Sequence, residues 1–473
     1  EGVVAIITNH AFLDNPTFRG MRESLLKTFN RLYFLDLHGN SNRQERAPDG
    51  GGDYNVFDIR QGVAVSVFVK NPGLVKGAYH CDFWGTRASK YKQCDEQSME
   101  SIKWTKIKPA SPFYLFIPEN KKLAKEFNKL WSVKDIFPVN SVSIITARDG
   151  LTLGFNKSEF QRRMAKFAAM APESARAHFC LAADARDWKI TFAQKDLQDD
   201  KLDKNKFCQI AYRPFDMRHT YYTGNSRGIH CKPRGDVMRH MRAGGNLGLV
   251  TVRQVAEKDF NHAFVADTIA DFRMTLSNKG GAYLFPLYCY NNKMGGVVRE
   301  ENISPEFRLW LDRRYGKKHA PENILGYIYA MLYSPNYRRK YAELLRLEFP
   351  RIPFPQENAE FMRLAKIGRA LIETHLLRGK AAGKTGLCRE AQTLKVEKIF
   401  HSEKEKRLYF NQKEYFAPVS AEMYNYKIGG YRPLDKYLKS RKGRELTLAE
   451  IGVMEKAADA IALTIVQTKK IDG

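Results

Sequence analysis

The sequence predicts an α/β amino-terminal part followed by an α+β part with a helical spacer, and three observations carry that reading. The first 76 residues alternate apolar strand-like runs with an amphipathic helix, as in a sheet covered on both faces. From about Gly77 short strand-like pieces are joined by polar loops. Residues 299–380 are dominated by helical patterns around a proline-rich connector. A chain of 473 residues is long enough for two to three domains with cores of ordinary size. The segments expected are 1–76, 77–298, 299–380 and 381–473.

Glu1 leads at once into the apolar run GVVAIIT, read as a buried strand. A domain rarely begins on its central strand, so the chain is expected to be a fragment with sequence missing upstream. Residues 17–30 form an amphipathic helix with Met21, Leu25, Leu26 and Phe29 on one face. Residues 32–37 (LYFLDL) complete a strand–helix–strand unit. A polar loop covers 38–53, and a third strand covers 63–70. Residues 118–131 read as a basic helix leading into a strand at 133–137, and 157–170 read as another helix.

Residues 207–241 gather Arg213, Arg218, Arg227, Lys232, Arg234 and Arg239 against only Asp216 and Asp236. Tyr212, Phe215, His219, Tyr221 and Tyr222 lie among them. A strand runs into a turn at Gly224-Asn225, Gly228 and Pro233 mark an irregular loop, and Asp236 is expected to cap a short helix. Such an arrangement suits a surface that grips phosphates and reaches base edges, although tyrosines and arginines also line ordinary sheet faces. Composition favours the first reading. Lys plus Arg is 78 against 52 for Asp plus Glu, a net charge of +26. That excess calls for a polyanion. No apolar run approaches the length of a spanning helix and no basic amphipathic anchor stands out, so nucleic acid is favoured over membrane.

Farther on, 323–333 and 335–347 are expected helices, 349–355 (FPRIPFP) an extended connector, and 361–377 a further amphipathic helix. Residues 379–385 (GKAAGKT) imitate a phosphate loop but hold three residues between the glycines where four are needed. A hairpin is expected over 395–410 and a closing helix over 448–469. The seven cysteines are scattered without a CxxC pair, and His219, His230, His240 and His262 lack ligand spacing. Neither a metal site nor a secreted disulfide framework is expected. No signal peptide is visible, and a cytoplasmic protein is the simplest expectation.

Residues 5–40 (AIITNHAFLDNPTFRGMRESLLKTFNRLYFLDLHGN) and 53–70 (DYNVFDIRQGVAVSVFVK) resemble the back half of a gamma-class DNA adenine methyltransferase. They look most like the type ISP restriction-modification family, single polypeptides that join nuclease, translocase, methyltransferase and target recognition domain. The blocks at 212–222, 228–241, 246–253, 260–271 and 277–288 are similar, in order, to that family's recognition domain pattern, which begins YRPFDxRxxYY. Residues 424–444 (YNYKIGGYRPLDKYLKSRKGR) resemble its terminal segment, so the likeness spans essentially the whole chain.

The resemblance implies the α/β half of a Rossmann-like methyltransferase domain, followed by an α+β target recognition domain with a helical spacer. It implies double-stranded DNA as partner, and a flipped adenine stacked on Phe57, whose bland alternative is a core phenylalanine. Expected DNA contacts are Arg213, Arg218, Arg227, Lys232, Arg234 and Arg253, with Lys439, Arg441 and Lys442 as a second patch. Cations shared by enzymes with different targets cannot read different bases. Base readers are therefore expected in variable loops such as 86–92 or 224–230. Tyr221 and Tyr222 are expected in the core. The sequence has no Pro-Pro dipeptide and so no (D/N/S)PP(Y/F) methyl-transfer motif, and the Gly-rich S-adenosylmethionine motif is missing. No catalytic residue and no bound cofactor are expected in this chain; S-adenosylmethionine belongs to the parent enzyme, with an upstream methyltransferase half and translocase and nuclease domains. The alternatives are a non-enzymatic DNA-binding specificity module and an RNA-modifying enzyme.

Overall fold

The computed structural model describes every residue except 44, 256, 258, 277–279, 295, 380–382 and 390–392. Part of the expected block at 277–288, and part of the loop at 379–385, therefore lie outside the described residues. The chain divides into two compact units. One comprises residues 1–129 with 256–259 and 342–347, the other 130–255 with 260–341 and 348–473.

The first unit contains β1 (Gly2–Asn9), α1 (Arg19–Thr28), β2 (Arg31–Asp36), β3 (Val63–Lys70), β4 (Gly77–Asp82), α2 (Arg87–Glu96) and β5 (Thr105–Ile107). Its sheet order is β1-β3-β2-β4-β5. β2 and β4 are parallel, while β3 is antiparallel to β1 and β2, and β5 to β4. Within this chain β1 ends the sheet on one side, paired only with β3, and Val3, Val4 and Ile7 are exposed. The core gathers Phe12, Leu32, Phe34, Phe68 and Phe116, each contributing about 1.5–3 kcal/mol on burial. Leu25, Leu26 and Phe29 pack against this core, whereas Met21 of the same expected face is exposed. Because β4 pairs with β2, the boundary expected after residue 76 cuts through a sheet and is corrected. The segment 86–92, expected as a variable loop, is the start of α2, with the Thr86 hydroxyl accepting from Ser89 N.

The second unit is framed by α3 (Lys157–Ala169), α4 (Ile190–Asp199), β6 (Phe207–Arg213), β7 (Asp216–Tyr221), α5 (Gly235–Arg242), β8 (Gly248–Val252), β9 (Ala263–Ala266), β10 (Ala282–Pro286), α6 (Pro321–Tyr333), α7 (Asn358–His375) and α8 (Leu448–Lys469). β9, β8, β10 and the short strand Ser141–Val142 form an antiparallel sheet in that order. β6 and β7 form a separate hairpin. One core joins Ile144, Ile210, Phe264 and Leu284 to Phe416, Leu438 and Ile461, so the carboxy-terminal segment shares its interior with the strand-rich part. A second core holds Phe160, Phe167, Trp188, Leu197, Tyr221 and Ile229.

Two local expectations change. The strand expected at 133–137 is a short helix, Val133–Ile136, started by the Ser132 side chain accepting from Lys134 N. α5 starts after Arg234, which stands in the left-handed region, and Asp236 lies inside its first turn instead of capping it. The spacer helices hold each other closely. A Cβ on Gly368 of α7 would stand 1.7 Å from the carbonyl oxygen of Gly326 in α6, so only glycine permits this approach. The proline-rich connector is extended, and Arg351–Ile352 pairs with Trp131–Ser132. α8 opens on a capping box of Thr447 and Glu450. Among the described residues no helix is long and apolar enough to cross a membrane.

Candidate functional site

Each unit carries a surface on which sequence-predicted residues come together. In the first unit it is the loop between β2 and β3. Asn55 is buried there, and its amide donates to the carbonyls of Gly39 (3.2 Å) and Gln61 (2.6 Å) while its Oδ1 accepts from Phe57 N (2.8 Å). α2 buttresses the loop from behind. The enclosed Lys90 ammonium uses all three of its donors, on Asp53 (2.6 Å), Leu37 O (2.7 Å) and Tyr54 O (2.8 Å). Tyr91 OH donates to Val56 O at 2.6 Å, and Arg87 reaches Asn55 O and Asp58. With its polar groups satisfied inward, the loop turns its apolar side chains outward. Tyr54, Phe57 and Ile59 are 60%, 44% and 48% exposed beside a cleft of about 730 Å³. A core phenylalanine would not be left so open; the loop presents Phe57 to whatever enters the cleft.

In the second unit the 207–241 stretch splits into a buried half and a presented half. Arg213, Arg218 and Arg441 were expected at a DNA surface, and the structure corrects all three. Arg213 is buried, paired with Asp271 at 2.6 Å and lying over the Tyr212 ring at 3.8 Å. Arg218 forms a two-pronged pair with Asp216 (2.8 and 2.7 Å) over the Phe155 ring. Arg441 reaches the same Asp216 at 3.0 Å and Glu450 at 2.9 Å. Burial works to raise the Asp216 carboxyl, but the hydrogen bonds and charges of Arg218 and Arg441 outweigh it and hold it below the ordinary range. Arg218 and Arg441 hold β7 to the 433–450 segment, Arg213 ties β6 to Asp271, and none of the three is free for phosphate. Tyr221 and Tyr222 are buried, as core residues.

The presented half is the loop 223–234, which carries Arg227, Lys232 and Arg234 into α5. It is pinned by one side chain of α4 that sequence reasoning missed. Asp196 accepts from the Thr223 hydroxyl (2.9 Å), the Asn225 amide (2.8 Å) and Ile229 N (2.9 Å). Gly228 passes so close that a Cβ there would lie 2.2 Å from Asp196 Oδ2. Trp188 Nε1 donates to Ile229 O (3.1 Å), and Tyr222 OH donates to Pro233 O (2.9 Å). His230 is buried beside the Thr220 hydroxyl (3.0 Å), and burial lowers its pKa to about 4, so it is neutral. On this base Arg227 is exposed, Lys232 is half-exposed with a loose pair to Asp187 (3.6 Å), and Arg234 is half-exposed with its Nε unpartnered. Arg253, Lys439 and Lys442 are also exposed, Lys439 pairing with Asp435 at 2.8 Å. A lone aspartate on an amphipathic helix reads as a solvated face, so nothing in the pattern of α4 announced Asp196.

No curated protein sequence matches the chain. Solved structures share its fold, three of them over all of its length as follows. A DrdV–DNA complex matches with TM-score 0.70 at 23% identity, the chain covering 50% of that protein. The ATP-dependent Type ISP restriction-modification enzyme LlaBIII bound to DNA matches at 0.72 and 18%, covering 32%. A nuclease-deletion mutant of the Type ISP restriction-modification enzyme LlaGI with a DNA substrate mimic matches at 0.68 and 18%, covering 46%. The chain thus spans half or less of the proteins it resembles. A family model described as the Type ISP C-terminal specificity domain matches residues 135–462, which includes the pinned loop and both buried arginine networks. The chain belongs to the Type ISP C-terminal specificity domain family.

Proposed function

We propose that this chain recognises a specific sequence in double-stranded DNA as part of a restriction-modification enzyme. The observation that carries the reading is the loop 223–234, fixed by Asp196 and presenting Arg227, Lys232 and Arg234. A basic loop held rigid before binding loses little conformational freedom on contact, so its cations grip phosphate in one register. The exposed cations Arg253, Lys439 and Lys442 add to the same backbone term. The DNA complexes among the structures of like fold support the reading.

Adenine methylation belongs, on this reading, to the parent polypeptide. The first unit supplies Phe57 as the stacking partner of an adenine turned out of the duplex. It supplies no methyl-transfer motif, because the sequence has no Pro-Pro dipeptide. The described loops on its sheet are fixed by Asn55, Lys90 and Asp53, and no Gly-rich turn there opens a helix for S-adenosylmethionine, so no step is assigned through that cofactor. The test is selection of this chain against a random duplex pool across a salt series, with sequencing of the retained DNA. One enriched motif and a steep salt slope are expected. Absence of duplex binding at moderate salt overturns the reading, and tighter binding to structured RNA favours an RNA partner instead.

A further inference from the structure

A cluster of ionisable groups, of which His10, Asp36 and His38 are buried, sits at the carboxy-terminal ends of the parallel strands β2 and β4, at the base of the Phe57 loop. His10 donates Nδ1–H to Asp36 Oδ1 at 2.9 Å, and His38 donates Nε2–H to Asp82 Oδ1 at 2.8 Å. Each imidazole thus has one nitrogen turned to a carboxylate. That is the arrangement in which metal-bound histidines are held, the carboxylate fixing the tautomer and leaving the other nitrogen as a lone pair. The other nitrogens are His10 Nε2 and His38 Nδ1, and Glu45 stands with them. One donor atom from each of the three residues lies within 4.8 Å of the others. His38 Nδ1 is 3.7 Å from Asp36 Oδ2 and 3.9 Å from Glu45 Oε2 and has no partner within hydrogen-bond distance, although His38 is only 8% exposed.

A tetrahedral Zn²⁺ with ligands at roughly 2.0–2.1 Å has donor–donor edges of about 3.3–3.5 Å, so closure needs side-chain shifts on the order of 1 Å. Glu45 lies in a loop and supplies that shift by loosening the bond its Oε2 accepts from Asn40 N (2.9 Å), while His38 is fixed by stacking on Trp84 at 3.4 Å. Asn40 Nδ2, which now lies 3.0 Å from His10 Nε2, would have to turn away. Charge points the same way. Asp36, Glu45 and Asp82 bring together three carboxylates, the first buried, the second half-buried and the third exposed, and Arg43 is committed to Asp14 at 2.9 Å and reaches Glu45 only at 4.0 Å. Negative charge withdrawn from water, as at Asp36 and in part at Glu45, is stabilised by a cation.

We infer that His10, His38 and Glu45 form a binding site for a divalent transition-metal ion of the Zn²⁺ class, backed by Asp36 and Asp82. The ion clamps the base of the Phe57 loop to the sheet, since His10 N donates to Gly62 O and Val63 N to His38 O. The inference does not depend on DNA binding, and its test does not read DNA. The full chain is stripped with chelator, then titrated with Zn²⁺ by calorimetry and with Co²⁺ by visible absorption. One equivalent is expected, with the weak visible bands of nitrogen and oxygen ligation and a raised Tm. His38→Gln and Glu45→Gln should each weaken binding by at least about 100-fold, since loss of outer partners alone costs 10–100-fold. Glu45 is only partly buried, so Glu45→Gln keeps the fold and circular dichroism verifies it. Failure to bind one equivalent overturns the site. So does undiminished binding by a folded Glu45→Gln chain, or thiolate charge-transfer bands that put the ion on a cysteine.

Discussion

Replacing Asp196 by Ala isolates the rigidity of the recognition loop from its charge, because Asp196 lies behind the loop and is itself buried. Three hydrogen bonds are lost, but they are not equal. The Thr223 hydroxyl is half-exposed and Asn225 exposed, so water replaces the carboxylate there. Ile229 is buried, and its N–H is left without an acceptor, a loss of about 1–3 kcal/mol. The ordered loop population then falls against the disordered one by about 5–150-fold, and apparent duplex affinity falls by up to the same factor. Gly228→Ala should act alike, since its Cβ would overlap Asp196 Oδ2. The assay pairs fluorescence-anisotropy titration of duplex with amide exchange at Ile229. Accelerated exchange and weakened binding with an unchanged salt slope are expected, because no phosphate-facing cation is removed. Affinity and exchange both unchanged in Asp196→Ala would falsify the claim that the loop is held by this carboxylate.

Arg218→Ala and Arg441→Ala should each lower unfolding free energy by about 3–5 kcal/mol, since either leaves Asp216 buried with half its compensation; thermal melts check this, and loss of DNA binding without loss of stability would restore them as contacts. Arg227→Ala and Lys442→Ala, both exposed, should leave stability within about 0.5 kcal/mol and reduce the slope of log K against log salt by about 0.9 each. Phe57→Ala should leave the Tm unchanged and cost the parent enzyme about 1–3 kcal/mol of flipped-base stacking, read by 2-aminopurine fluorescence at the target position. Burial lowers His230 to about 4 and His375 to about 3, so the unfolded chain binds more protons than the folded one below about pH 6.5. Stability should therefore fall by about 1.4 kcal/mol per pH unit for each histidine from pH 6.5 down towards 4. Denaturant melts of His375→Gln should have the shallower slope, and an equal slope would remove His375 from the account.

The sequence by itself determined the local elements whose signals lie within one stretch. The amphipathic helices at 19–28 and 358–375, the extended proline connector and the closing helix at 448–469 follow from apolar periodicity and proline. The charge excess and the ordered blocks from 212 to 288 likewise sufficed for the family. Only the tertiary structure decided which cations are free. Arg218 and Arg227 sit in one basic run, yet Arg218 pairs with its near neighbour Asp216, and Ser440 and Arg441, 222 and 225 residues along the chain from Arg218 and Asp216 respectively, close over that pair, while Arg227 rides on a loop fixed by Asp196. Periodicity is a property of neighbours along the chain, whereas burial, pairing and the convergence of His10, His38 and Glu45 depend on long-range contacts that no local spacing encodes.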